Sequence, residues 1–231
     1  MYYGLESGLT MILFFAALII TIYAQCKINS SYSKYKKKKA SKNVTGLDVA
    51  RQILDKNGLS NVYVVATNGE LTDHYDPTRK VVKLSNDIYN GNTIAAISVA
   101  AHECGHAIQD KENYKFMRIR AALVPFVNLV SYLGYFGLIV SLFAGITGYL
   151  KLSLLTLVAT CVFQLVTLPV EFDASKRAMK ELEKLGLASP EDKKGVKSML
   201  SAAAFTYVAS LLSTLLNIMR IVIMLNDRDN R

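Results

Sequence analysis

Residues 9–24 read "LTMILFFAALIITIYA" and carry no charged side chain. With residues 1–8 ahead of it, the run reaches the ~20 residues that cross a ~30 Å hydrocarbon core at ~1.5 Å per residue. Three more runs of this kind follow, at about residues 121–147, 152–170 and 203–225. The chain has 231 residues, 52% of them hydrophobic, and no Trp. Its mean hydropathy of +0.25 belongs with membrane proteins. The second and third runs could instead form a buried hairpin in a soluble core. However, Leu138-Ile139-Val140 and Leu154-Leu155 sit in stretches almost free of charge, which favours spans.

The first run is not a cleavable signal, because no basic residues precede it and Ala24-Gln25-Cys26 is a poor cleavage site. The cations come after it, at Lys27, Lys34, Lys36 to Lys39 and Lys42. The positive-inside rule therefore puts the amino terminus outside and "KINSSYSKYKKKK" (27–39) in the cytoplasm. A short outer turn near Gly145 to Lys151 joins the second and third runs, so Lys27 to Arg120 and Glu171 to Ala202 share a side. Both are basic, the latter through Lys176, Arg177, Lys180, Lys184, Lys193, Lys194 and Lys197. The net charge of +9 is thus topogenic and faces the lipid bilayer; no nucleic-acid partner is expected. Cys26, Cys104 and Cys161 form no disulfide framework, and Cys104 lacks the partners of a nucleophile.

Between the first two spans the chain reads as a small α+β unit. Thr45-Gly46-Leu47-Asp48 is a capping box opening a helix with Leu47, Ala50, Ile53 and Leu54 on one face, and Gly58 closes it. Residues 61–65 and 80–85 are β-branched and read as strands, with turns at Asn68-Gly69 and Asp76-Pro77. A helix then starts near Asn92 or Thr93. On it lies "AAHECGHAIQD" (100–110), which holds two of the three histidines in the chain.

Positions i and i+4 of a helix share a face, so His102 and His106 both reach one point, with Glu103 about 100° around. This H-E-x-x-H pattern offers two zinc-binding nitrogens beside a general base. Catalytic zinc takes a third protein ligand and keeps one open position. His74, on the polar stretch between strands, reads as a surface or turn histidine. Glu171 and Asp173 follow the third span at its inner mouth, and the returning hairpin favours Glu171. Tyr75, His74 and Arg177 are candidate donors to an oxyanion. An exposed edge of the sheet formed by residues 62–85 would align an extended peptide by strand addition.

"TDHYDPTRKVVKLSNDIYNG" (72–91), "AAHECGHAIQ" (100–109) and "PVEFDASKRA" (169–178) together resemble the YugP-type membrane zinc metallopeptidases of bacteria, over nearly the whole chain. A more distant likeness is to the HtpX-type and CAAX prenyl proteases, membrane gluzincins whose ligand Glu is commonly followed four residues later by Asp. Here that later position is Ser175 and the acid is Asp173. The resemblance implies a peptidase, in keeping with Zn²⁺ on His102, His106 and Glu171 and with Glu103 as base; the substrate expected is a peptide or a membrane protein. The fold class expected is a mainly α membrane protein, with about four transmembrane helices and a small cytoplasmic α+β unit.

The expected organisation is an anchor at 1–26, a basic linker at 27–43 and an α+β unit at 44–120. A transmembrane hairpin at 121–170, a cytoplasmic helical segment at 171–202, and a last span with its tail at 203–231 complete it. Two other readings are a non-catalytic scaffold stabilised by zinc and an ion relay. The relay is prompted by Glu6, Asn128, Gln164, Asn217 and Arg220 in or near the spans. The free carboxylate of Glu103 argues against a scaffold, since a structural site needs none beside its ligands.

Overall fold

The computed structural model describes residues 2–144 and 149–229. The outer turn expected at Gly145 to Lys151 falls largely outside the described residues, as does the side chain of Glu6. Among the described residues, helices and strands follow in the order α1 (Tyr2–Lys36), α2 (Gly46–Lys56), β1 (Tyr63–Thr67), β2 (His74–Asp76), β3 (Val81–Ser85), α3 (Asn86–Tyr89), α4 (Ile94–Lys111), α5 (Lys115–Ala144), α6 (Tyr149–Lys184) and α7 (Pro190–Asp229). The chain divides into two compact units. One comprises Met1–Gln25, Ile119–Leu168 and Thr206–Arg231; the other comprises Cys26–Arg118 and Pro169–Phe205.

Four helices are long and apolar enough to cross a membrane, over Gly8–Lys36, Lys115–Gly134, Leu150–Lys184 and Pro190–Asp227. Within the first unit each turns an apolar row outward at the helical 3–4 spacing. Ile12, Phe15, Ile19 and Ile22 do so on α1, and Phe126, Leu129, Leu133 and Phe136 on α5. Leu155, Val158, Val162 and Leu165 follow on α6, and Leu212, Leu215, Met219 and Val222 on α7. Apolar rows on this scale are a surface made for lipid, since water-soluble monomers expose only small patches. The protein is a mainly α membrane protein with a small α+β unit.

Two polar residues of the first unit have defined contacts. Gln164 Nε2 donates to Ser210 Oγ at 2.8 Å, and Arg220 lies 5.0 Å from the Phe14 ring centroid. These are contacts of helix packing and cation–ring stacking.

In the second unit, the capping box forms as read. Asp48 N–H donates to Thr45 Oγ1 at 3.1 Å and Thr45 N–H to Asp48 Oδ2 at 2.8 Å. The helix so started buries Val49, Ala50, Ile53 and Leu54 completely. Burying Val49, Ile53 and Leu54 contributes about 1.5–3 kcal/mol each. They pack on α4, whose Ala95, Ala96, Ile97, Ala100, Ala101, Cys104 and Ala107 are also fully buried. Small side chains let the two helices approach closely.

The sheet order is β1-β3-β2, with β1 parallel and β2 antiparallel to the central β3. Strand β2 is an addition to the two strands read from the sequence, and it carries His74 and Tyr75. The lysine-rich stretch also differs from a linker: α1 runs to Lys36 because Ile28, Tyr32 and Tyr35, one turn apart, are buried in the core. After it, Ala40 N–H donates to Asn92 O, and Ile94 N–H to Lys38 O, each at 2.9 Å. The second bond satisfies a free N–H at the start of α4 and fixes where the motif helix begins.

Candidate metal centre

Helix α4 opens on Thr93, whose hydroxyl accepts from Ala96 N–H at 3.2 Å. Two turns on, His102 and His106 stand on one face with ring centroids 4.8 Å apart. Glu171, from α6, is 3% exposed and meets both. Its Oε2 lies 3.3 Å from His102 Nε2 and 3.6 Å from His106 Nε2. One ligand atom from each of the three lies within 4.8 Å of the others.

Gly105 makes this convergence possible. A Cβ built on it would stand 2.6 Å from the carbonyl oxygen of Ala174. The space beside this glycine is filled by the backbone of α6. Glycine against alanine lets α4 and α6 touch, and the touch brings Glu171 to the histidines.

The remaining ring nitrogens are held as well. Ser175 Oγ lies 3.3 Å from His102 Nδ1, and Gln109 Oε1 lies 3.0 Å from His106 Nδ1. Asp173 turns away from the cluster, accepting from Arg177 Nε at 2.5 Å and Gln109 Nε2 at 2.9 Å. Arg177 also donates to Glu112 Oε2 at 2.6 Å. Burial opposes a charge on His106. The hydrogen bond and charge of Glu171 outweigh that, with Glu103 and Gln109 adding, and hold its pKa above the ordinary imidazole value.

Glu103 is 7% exposed, next to the cluster and not part of it. A second acid, not singled out from the sequence, stands nearby: Asp73, whose Oδ1 accepts from Ser85 N–H at 2.7 Å. Burial pushes the Asp73 carboxyl up; the Ser85 bonds oppose this and the charge of Glu103 adds to it. Asp73 is thus within electrostatic reach of Glu103.

The candidate oxyanion donors are engaged elsewhere. Tyr75 Oη donates to Asp110 Oδ2 at 2.8 Å, and Arg177 is held by two carboxylates. His74 is exposed, with Nδ1 2.8 Å from Thr72 O, and lies outside the cluster. Cys104 is fully buried beside Ala50 O, and burial, with Glu103 adding, pushes its thiol well above the ordinary range. It is an inert packing residue.

Gln109 and Ser175 are the site residues to which the sequence alone assigned no role. Helix spacing held the only signal. Gln109 is three positions past His106, and Ser175 is four past Glu171.

Two imidazole nitrogens and a carboxylate oxygen form a borderline-soft N₂O donor set that suits zinc. Ligands ~2.0–2.1 Å from a tetrahedral ion are about 3.3–3.4 Å apart, close to the two contacts made by Glu171. The chain matches the family described as "Putative neutral zinc metallopeptidase" over residues 10–226, and it belongs to that family. It is also 45% identical, over 215 residues, to a Bacillus subtilis (strain 168) protein named "Putative membrane protease YugP". That alignment covers 93% of this chain and 96% of the relative. No solved structure matches the chain.

Proposed function

We propose that this chain is an integral membrane zinc metalloendopeptidase that hydrolyses peptide bonds at the cytoplasmic face of the membrane, in the quality control or processing of membrane proteins. His102, His106 and Glu171 hold the zinc, and Glu103 is the general base. The observation that carries this reading is the buried carboxylate of Glu171 at 3.3 and 3.6 Å from two imidazole nitrogens, with a second carboxylate one residue from His102 left outside the cluster.

When bound, zinc lowers the pKa of a water toward ~7 and polarises the scissile carbonyl. Glu103 takes the proton of the attacking water and delivers it to the leaving nitrogen. The two imidazoles bind neutral and Glu171 binds as an anion, offsetting half of the charge of the dication. The sheet leaves β1 on an edge, with Tyr63 71% exposed, and such an edge aligns an extended peptide through backbone hydrogen bonds.

Two experiments test this reading. Protein purified in detergent without chelators is expected to carry about one zinc per chain and to cleave unfolded polypeptide. A preparation that neither holds nor takes up zinc would refute it. The charge pattern favours an orientation with Lys36 and Lys180 inside and Lys151 outside. Among the variants Lys36→Cys, Lys151→Cys and Lys180→Cys, an impermeant thiol reagent on intact cells should label position 151 only. The natural cysteines are replaced beforehand. Labelling at position 36 would invert the orientation, and opposite sides for 36 and 180 would break the shared site.

A further inference from the structure

Gln109 is fully buried on α4, one helical turn past His106. Its amide nitrogen donates to Val170 O at 2.8 Å and to Asp173 Oδ2 at 2.9 Å. Both partners accept, because Val170 offers a carbonyl and the same Oδ2 of Asp173 already takes the N–H of Arg177 Nε. Turning the amide over would set its oxygen against two other oxygens. The Oε1 atom must therefore face His106 Nδ1, 3.0 Å away, and that nitrogen must carry the proton. With its proton fixed on Nδ1, His106 has Nε2, the nitrogen that faces Glu171, as the one free to bind a metal once any proton shared with that carboxylate is displaced.

From this network, and resting on the zinc reading above, we propose that Gln109 is the positioning residue of His106. It selects the tautomer and the ring orientation of that ligand, with Asp173 acting one step behind it. Ligating histidines commonly give their second N–H to a carboxylate. Here a neutral amide takes that place, and the carboxylate has moved outward to orient the amide. A carboxylate directly on Nδ1 makes an imidazole a stronger donor, whereas an amide fixes the ring and leaves more of the Lewis acidity to the metal. The chain Glu112–Arg177–Asp173–Gln109–His106 alternates acceptor and donor along its length, so each member fixes the orientation of the next.

The test compares wild type, Gln109→Leu and the double variant Gln109→Glu/Asp173→Asn, each full-length in detergent. Leucine is tolerable in place of Gln109 because Val170 O keeps its own helical bond and Asp173 keeps Arg177. In the double variant the donor and acceptor roles of positions 109 and 173 are exchanged. The remaining oxygen–oxygen contact with Val170 O is relieved by a small turn of the carboxylate, since Val170 O keeps its own helical bond. The carboxylate introduced at position 109 accepts from His106. The amide introduced at position 173 gives its N–H₂ to that carboxylate, while its oxygen still accepts from Arg177. The readouts are zinc affinity by chelator competition and the ring N–H signals of the zinc-loaded protein. With three histidines in the chain, the spectrum is simple.

Gln109→Leu is expected to weaken zinc binding about 10–100-fold and to lose the protected His106 Nδ1–H signal. The double variant is expected to bind zinc within about five-fold of wild type and to move that signal downfield. Unchanged affinity and an unchanged signal in Gln109→Leu would overturn the proposal. Should Gln109→Leu fail to fold, the double variant decides: a retained signal with near-normal affinity supports the proposal, and loss of both overturns it. A wild-type protein that takes no zinc would instead overturn the zinc reading itself, and the proposal with it.

Discussion

Glu103→Gln is expected to slow peptide hydrolysis about 10²–10⁴-fold while zinc content stays at one per chain. The amide matches the carboxylate in shape, so a side chain 7% exposed is replaced without a cavity. What it cannot do is accept a proton. Because Glu103 lies outside the three-residue cluster, its loss leaves the proposed ligand set intact. Thermal stability should therefore remain near that of wild type. In cells, fragments of membrane proteins that depend on the enzyme should vanish with this variant as they do in a deletion. A parallel loss of zinc and activity would make Glu103 a ligand and require a different base.

Gly105→Ala is expected to lower hydrolysis about 100-fold and to weaken zinc binding, although the change adds a single methyl group. On a solvated helix the same change would stabilise by about 1 kcal/mol. Here the new Cβ meets the Ala174 carbonyl oxygen at 2.6 Å and its carbonyl carbon and Cα at 3.2 Å. These are backbone atoms of a helix, so relief comes only when α4 and α6 separate. Overpacking of this kind costs about 1–3 kcal/mol, which exceeds the gain in propensity. The chemistry suffers more than the fold, because His102 and His106 stand on one helix and Glu171 on the other. A variant that melts higher and binds zinc as wild type does would show that the contact is looser than the structure has it.

The features legible in the sequence were those set by local spacing. The i, i+4 histidines, the Thr45–Asp48 capping box, the turn glycine at position 69 with φ +92° and the apolar runs all follow from one periodicity or one turn type. Ile28, Tyr32 and Tyr35 also stood at helical spacing, but seven lysines from 27 to 42 dominated that stretch and its helix was read as a linker. Strand β2 escaped because three residues between a turn and a proline carry no alternation to read. The parallel pairing of β1 with β3 is set by contacts across intervening chain and has no local mark.

The same limit applied at the site. Glu171 could be singled out from where the chain returns, but the 2.9 Å bond from Gln109 to Asp173 joins residues 64 positions apart. Nor does a glycine inside the motif announce its neighbour: only the path of α6 reveals that the Ala174 backbone lies against Gly105.

The most direct test is the zinc affinity of Glu171→Ala set beside that of Asp173→Ala, both measured by chelator competition on folded protein. Losing the anionic ligand should weaken binding by more than the ~10–100-fold typical of an outer partner. Losing Asp173 leaves Gln109 bonded to Val170 O and should cost less than about ten-fold. Weak binding in Asp173→Ala together with normal binding in Glu171→Ala would contradict the site, because the third ligand would then lie two residues further along α6.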